Sequence, residues 1–111
     1  MSLKDKHCVP CKAGSPALPR AQAEALLGEI PGWELDQAGK QISRLFEFDS
    51  YWAGLGFVNA VAWMAQSEKH HPDVALLYKK VRVSYSTHAV NGLSDNDFIC
   101  AAKANALVPE A

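Results

Sequence analysis

Between Lys80 and Ser86 the chain alternates without a break, Val81, Val83 and Tyr85 set against Lys80, Arg82, Ser84 and Ser86. Successive strand side chains point to opposite faces, so this run specifies a strand with one buried and one wet face. Such a sheet needs a covering layer, which the same chain must supply. The candidate is Tyr51 to about Lys69, where Gly54, Phe57, Val58, Val61, Met64 and Ala65 recur at helical spacing. Asp49 or Ser50 can cap its start by accepting from free N–H groups. Pro72 pushes His71 out of the helical region, so the helix ends at about His70 or His71.

The remaining segments fit around that pair. Pro19 or Arg20 opens a short helix with Leu26, Leu27 and Ile30 as its apolar stripe, and Pro31-Gly32 stops it. Trp33–Leu35 and Ile42–Phe48 read as strands joined by the turn residues Asp36 to Lys40. Leu45 and Phe46 are adjacent apolars, so one of them faces a second layer or a subunit contact. Val74–Tyr78 makes a second hairpin with the alternating strand. Asn91-Gly92 turns the chain, Ser94 to Asp97 forms a cap with an acidic first turn, and Phe98 to Leu107 is the last helix. The expected fold is α+β: a four-stranded antiparallel sheet with three helices packed on one face, order αββαββα. Residues 1–18 are expected to be a flexible arm and residues 19–111 the folded domain. The arm carries Cys8 and Cys11 at the spacing of half a zinc site, but no second such pair exists, so incidental thiols are the leading reading and a redox or metal role the alternative.

Composition excludes several classes. The 111 residues suffice for one domain, and a net charge of −1 without a basic block gives no electrostatic basis for nucleic-acid binding. No apolar run reaches membrane-span length, and Met1 to Cys8 lacks the apolar core of a signal peptide. Three cysteines, an odd number, make a poor disulfide framework. A cytoplasmic protein without membrane contact is expected.

Three of the four histidines, His70, His71 and His88, fall at predicted element ends, with Asp97 in the first turn of the last helix. Each alone has an ordinary use as polar punctuation or a hydrogen-bonded strand residue. Together they can form one titratable rim. A three-histidine zinc site is disfavoured, because adjacent histidines rarely address one ion and the helical i, i+4 pair is absent. Acid–base chemistry without metal or cofactor fits better, since imidazole titrates near neutrality and can give or take a proton.

The run His70-His71-Pro72-Asp73, Tyr78, Ser86-Thr87-His88, Gly92-Leu93 and Asp97, with Pro31-Gly32-Trp33 upstream, resembles the signature of pterin-4a-carbinolamine dehydratases. The likeness spans roughly residues 20 to 105, and the arm is similar to that of some bacterial members. It implies dehydration of a 4a-hydroxytetrahydropterin to quinonoid dihydropterin, in tetrahydropterin recycling for an aromatic amino acid hydroxylase such as phenylalanine hydroxylase. By position it implies catalytic roles for His70, His71 and His88. It implies substrate-binding roles for Trp33, Asp73, Tyr78, Ser86, Thr87 and Asp97, and a homodimer or homotetramer. Phe46, Tyr51 and Trp52 are the surplus apolar residues available for such contacts. Relatives also implied the alternative of a protein-binding or coactivator module on the same fold. Two departures stand out: Gln66 replaces a common acidic residue, and Lys69 a common small polar one.

Overall fold

A computed structural model describes residues 2–109. The elements follow the expected order: α1 (Arg20–Leu27), β1 (Glu34–Leu35), β2 (Ile42–Glu47), α2 (Tyr51–Glu68), β3 (Asp73–Leu76), β4 (Lys80–Tyr85) and α3 (Asp95–Ala106). Single 3-10 turns at Leu3–Asp5 and His88–Val90 are additions that leave no periodicity in a sequence. The strands form one antiparallel sheet in the order β1-β2-β4-β3. Each hairpin keeps its own pair, and α2 carries the chain across so that β4 lies beside β2.

Register explains the covered face. Ile42 is opposite Tyr85, Arg44 opposite Val83 and Phe46 opposite Val81. Residues two apart share a face, so these side chains meet one layer of helices. Phe57, Val61 and Ala65 of α2 and Phe98, Ile99 and Ala101 of α3 are buried with them. Glu47, Lys80 and Arg82 occupy the other face and are exposed. Phe46 answers the question of adjacent apolars. It is core, 4.5 Å from the Phe57 ring and 6.1 Å from Trp33, and so is unavailable as a subunit contact.

Local chemistry sets the element ends. The Ser50 hydroxyl accepts the Ala53 N–H at 3.1 Å and starts α2. At the other end Lys69 adopts a left-handed conformation with φ of 56°, and His70 N–H reaches back to Ala65 O at 3.1 Å. A non-glycine residue at positive φ is uncommon, and here a lysine bears it. β3 ends at Leu76, short of the expected Tyr78, because Leu77 N–H already donates across the turn to Lys80 O at 2.8 Å.

The segment expected to be a flexible arm is packed against the domain. Leu3 is buried, the Asn96 side chain brackets Val9 with bonds of 3.1 and 2.7 Å, and Leu18 N–H donates to Leu93 O at 2.9 Å. A Cβ on Gly92 would lie 2.9 Å from Ala17 Cβ, which is closer than atoms settle, so glycine admits the arm there. These partners are about 75 to 90 positions away in sequence, beyond the reach of any local pattern. Among the described residues, no helix is long and apolar enough to cross a membrane.

Candidate active site

Asp97 is the hub. It is the third residue of α3, fully buried, and both carboxylate oxygens are occupied. Oδ1 accepts from His70 Nε2–H at 2.6 Å, and Oδ2 accepts from the Thr87 hydroxyl at 2.7 Å and from Ser94 N–H at 3.0 Å. Thr87 and Ser94 hydroxyls lie 2.8 Å apart. A buried carboxylate is tolerated only when so satisfied, and a helix N-terminus further favours its charge. The Ser94-x-x-Asp97 cap therefore has a second use: the carboxylate that closes the helix start also holds an imidazole.

His70 arrives from the α2–β3 corner with its side chain 14% exposed. Its ring stacks on Tyr85 at 5.2 Å between centroids, and the Tyr85 hydroxyl donates to His70 O at 3.2 Å. Nε2 is committed to Asp97, so Nδ1 is the nitrogen left to meet a ligand. Burial pulls the His70 pKa down, but the Asp97 hydrogen bond and charge outweigh it and leave it above the ordinary imidazole value.

The other expected residues divide. His71 is exposed, and its Nε2–H donates to Gln66 Oε1 at 2.9 Å, so Gln66 orients this ring. His88 is exposed at the start of its 3-10 turn, directly after Thr87 and thus one residue from the Asp97 network. Thr87 pairs with Gly92 at the base of that loop, and Asn91 turns it with φ of 51°. Ser86 is half-buried between Tyr85 and Thr87. Asp73 is exposed at the start of β3, opposite Ser84.

Two expected residues fall outside the corner. Trp33 is buried, its indole N–H donates to Asn105 Oδ1 at 2.8 Å, and its ring centroid lies 6.5 Å from that of Tyr85. Tyr78 is 73% exposed in the β3–β4 turn, at the opposite end of that hairpin from His70 and His71. Tyr85 and Ser94 join the corner without having been singled out as site residues. Tyr85 was legible only as the inward end of an alternating strand, and Ser94 only as a cap. One cleft between the arm and the start of α3, lined by Cys11, Ser94 and Asp95, borders the corner at Ser94; another, lined by Arg44 and Asn105, lies away from it. Among the described residues, no three His, Cys, Asp or Glu side chains are grouped as a metal site.

Fold and corner together define an αββαββα domain that presents a carboxylate-held histidine. The family model of pterin 4 alpha carbinolamine dehydratase matches residues 16–107. A protein of Xanthomonas campestris pv. campestris, named provisionally as a pterin-4-alpha-carbinolamine dehydratase, is 52% identical over 92% of this chain and 86% of its own. One of Stenotrophomonas maltophilia with the same name is 49% identical over 97% of this chain and 93% of its own. A crystal structure from Brucella melitensis, described as a transcriptional coactivator/pterin dehydratase, superposes with a TM-score of 0.78 at 30% identity, covering 82% of this chain and 97% of that one. The chain belongs to the pterin 4 alpha carbinolamine dehydratase family.

Proposed function

We propose that this protein dehydrates 4a-hydroxytetrahydropterin to quinonoid dihydropterin, with His70 and His88 as the acid and base near C4a and His71 orienting the ring. The observation that carries this reading is the buried Asp97 holding His70 Nε2 at 2.6 Å. Water leaves when an acid protonates the departing hydroxyl while a base takes a proton from the ring nitrogen system. No electrons are exchanged with a second molecule. Each positioned group of this kind contributes about 10²- to 10⁴-fold. Asp97 and Thr87 act as positioning residues, and Trp33 packs near Tyr85, which carries the His70 ring. Asp73 and Ser86 contact the polar edge of the pterin. The product would return to tetrahydropterin through a separate reductase and serve an aromatic amino acid hydroxylase.

Stopped-flow dehydration of freshly generated carbinolamine tests the assignment. His70→Ala and His88→Ala should each lower the rate by about 10²-fold or more. Near-parental rates in both reject it. The reaction is metal-independent on this reading, so a chelator should leave the rate unchanged.

Assembly into a homo-oligomer accompanies the proposal. Trp52 and Trp63 are 79% and 80% exposed on α2, and eleven residues make about three turns, so they share a face. Tyr51 is exposed beside them. A helix that is apolar on both its inner and outer sides belongs in an interior, and a second copy of the chain provides one. Light scattering should report a dimer or tetramer, and Trp63→Lys should shift it towards monomer. A monomeric parent chain removes this part of the proposal. A coactivator-type module, which the Brucella name also evokes, would keep its partner binding after His70→Ala.

A further inference from the structure

All three cysteines are free thiols. Sequence spacing pairs Cys8 with Cys11, but in space Cys8 faces Cys100, with the two Sγ atoms 3.5 Å apart. The approach is braced from both sides. Glu68 Oε1 accepts from Cys8 N–H at 2.7 Å, and Asn96, which brackets Val9, lies one helical turn before Cys100 on α3. Cys11 is turned elsewhere, its sulfur accepting from Asn96 Nδ2 at 3.5 Å. Cys8 is half-buried, whereas Cys100 is fully buried. Cys100 adjoins the Tyr85 hydroxyl, and Tyr85 stacks on His70.

We propose that Cys8 and Cys100 are a redox pair that closes to a disulfide, stapling the arm to α3 immediately behind the Tyr85–His70 stack. The oxidant is a low-molecular-weight disulfide. Cys8 attacks one of its sulfurs, forming a mixed disulfide and releasing one thiol. Cys100 then attacks the Cys8 sulfur and releases the second thiol. The two protein thiols are oxidised, the small disulfide is reduced, and the two cysteine protons leave on the released thiols. The sulfurs must close from 3.5 Å to about 2.05 Å, a movement the arm can make because it is a loop rather than a helix. The Cys100 hydrogen bond and burial raise the Cys8 thiol above its ordinary range, so the attacking thiolate is scarce at neutral pH and closure is slow.

The test incubates the full chain in graded mixtures of reduced and oxidised glutathione, followed by acid quench, intact mass and peptide mapping. The expected result is a mass loss of about 2 Da, a Cys8 peptide linked to the Cys100 peptide, and a single alkylatable thiol at Cys11. Closing so long a loop should also raise Tm by more than about 5 °C over the reduced chain. Cys8→Ser and Cys100→Ser should each abolish the mass loss, and Cys11→Ser should retain it. Cys8→Ser alters only a half-buried thiol, so it decides the matter even if Cys100→Ser fails to fold. A Cys8–Cys11 link, a glutathione adduct on Cys8 that never resolves, or three free thiols at the most oxidising ratio overturns the proposal.

Discussion

Asp97 and Glu68 are two carboxylates built from the same parts. Each side chain is almost removed from water, at 0% and 7% exposure. Each accepts from one histidine, His70 at 2.6 Å and His7 at 2.8 Å, and from one backbone N–H, Ser94 at 3.0 Å and Cys8 at 2.7 Å. The third partner differs. Thr87 closes the Asp97 network, while Lys103 stands 3.6 Å from Glu68 and also donates to Lys4 O. The larger difference is the histidine itself: His70 is 14% exposed and His7 81%. Water screens the second pair and leaves the first, so one donor set makes a rigid corner and the other a surface latch for the arm. Helix position sharpens the contrast. Asp97 sits where the α3 dipole favours it, whereas Glu68 sits in the last turn of α2, where it does not.

The largest effect expected is from Asp97→Ala. It strands the His70 ring N–H, the Thr87 hydroxyl and the Ser94 N–H, and should cost about 3–5 kcal/mol in urea unfolding. Asp97→Asn should keep the fold while removing a pH dependence. Because the folded His70 pKa is raised, the stability of this pair is fully present below the unfolded imidazole value of 6.5 and is lost as pH rises through the folded value. Unfolding curves between pH 5.5 and 9 should show that decline in the parent and a weaker one in Asp97→Asn. Thr87→Val removes one donor to the carboxylate and should cost about 1–3 kcal/mol.

The arm should respond more weakly. Burial pushes the Glu68 pKa up, but Cys8 N–H, His7 and Lys103 pull it below its usual 4.5. Its contribution is therefore present above 4.5 and lost as pH falls through the lower folded value. Glu68→Gln should cost no more than about 1 kcal/mol globally, while hydrogen exchange speeds up at Cys8 and Val9. If Glu68→Gln destabilises as much as Asp97→Ala, exposure is not what separates the two regions. Gly56→Ala offers the smallest change. The position is helical and exposed, a Cβ there meets nothing within 4 Å, and a gain of roughly 0.5–1 kcal/mol is expected by denaturant titration.

The two regions were unequally legible. Alternation in β4, the Ser50 cap and Pro72 each act over a few residues, so the element order could be read directly. His70 and Asp97 could be placed at element ends, and the family likeness grouped them. Their hydrogen bond, across 27 positions, depends on how α3 docks against the α2–β3 corner. Trp33 and Tyr78 carry the same kind of side chain into opposite surroundings, one in the core and one on a turn, which residue type alone does not separate. The arm was the least legible part. Its partners are Glu68, Asn96 and Cys100, and nothing near Cys8 in the chain announces them.

The pH–rate profile of carbinolamine dehydration, compared between the parent chain and Asp97→Asn, tests most directly whether Asp97 tunes a catalytic His70. Loss of the neighbouring charge should move the limb governed by His70 to lower pH and reduce the maximal rate. Superimposable profiles with equal maxima would contradict that assignment.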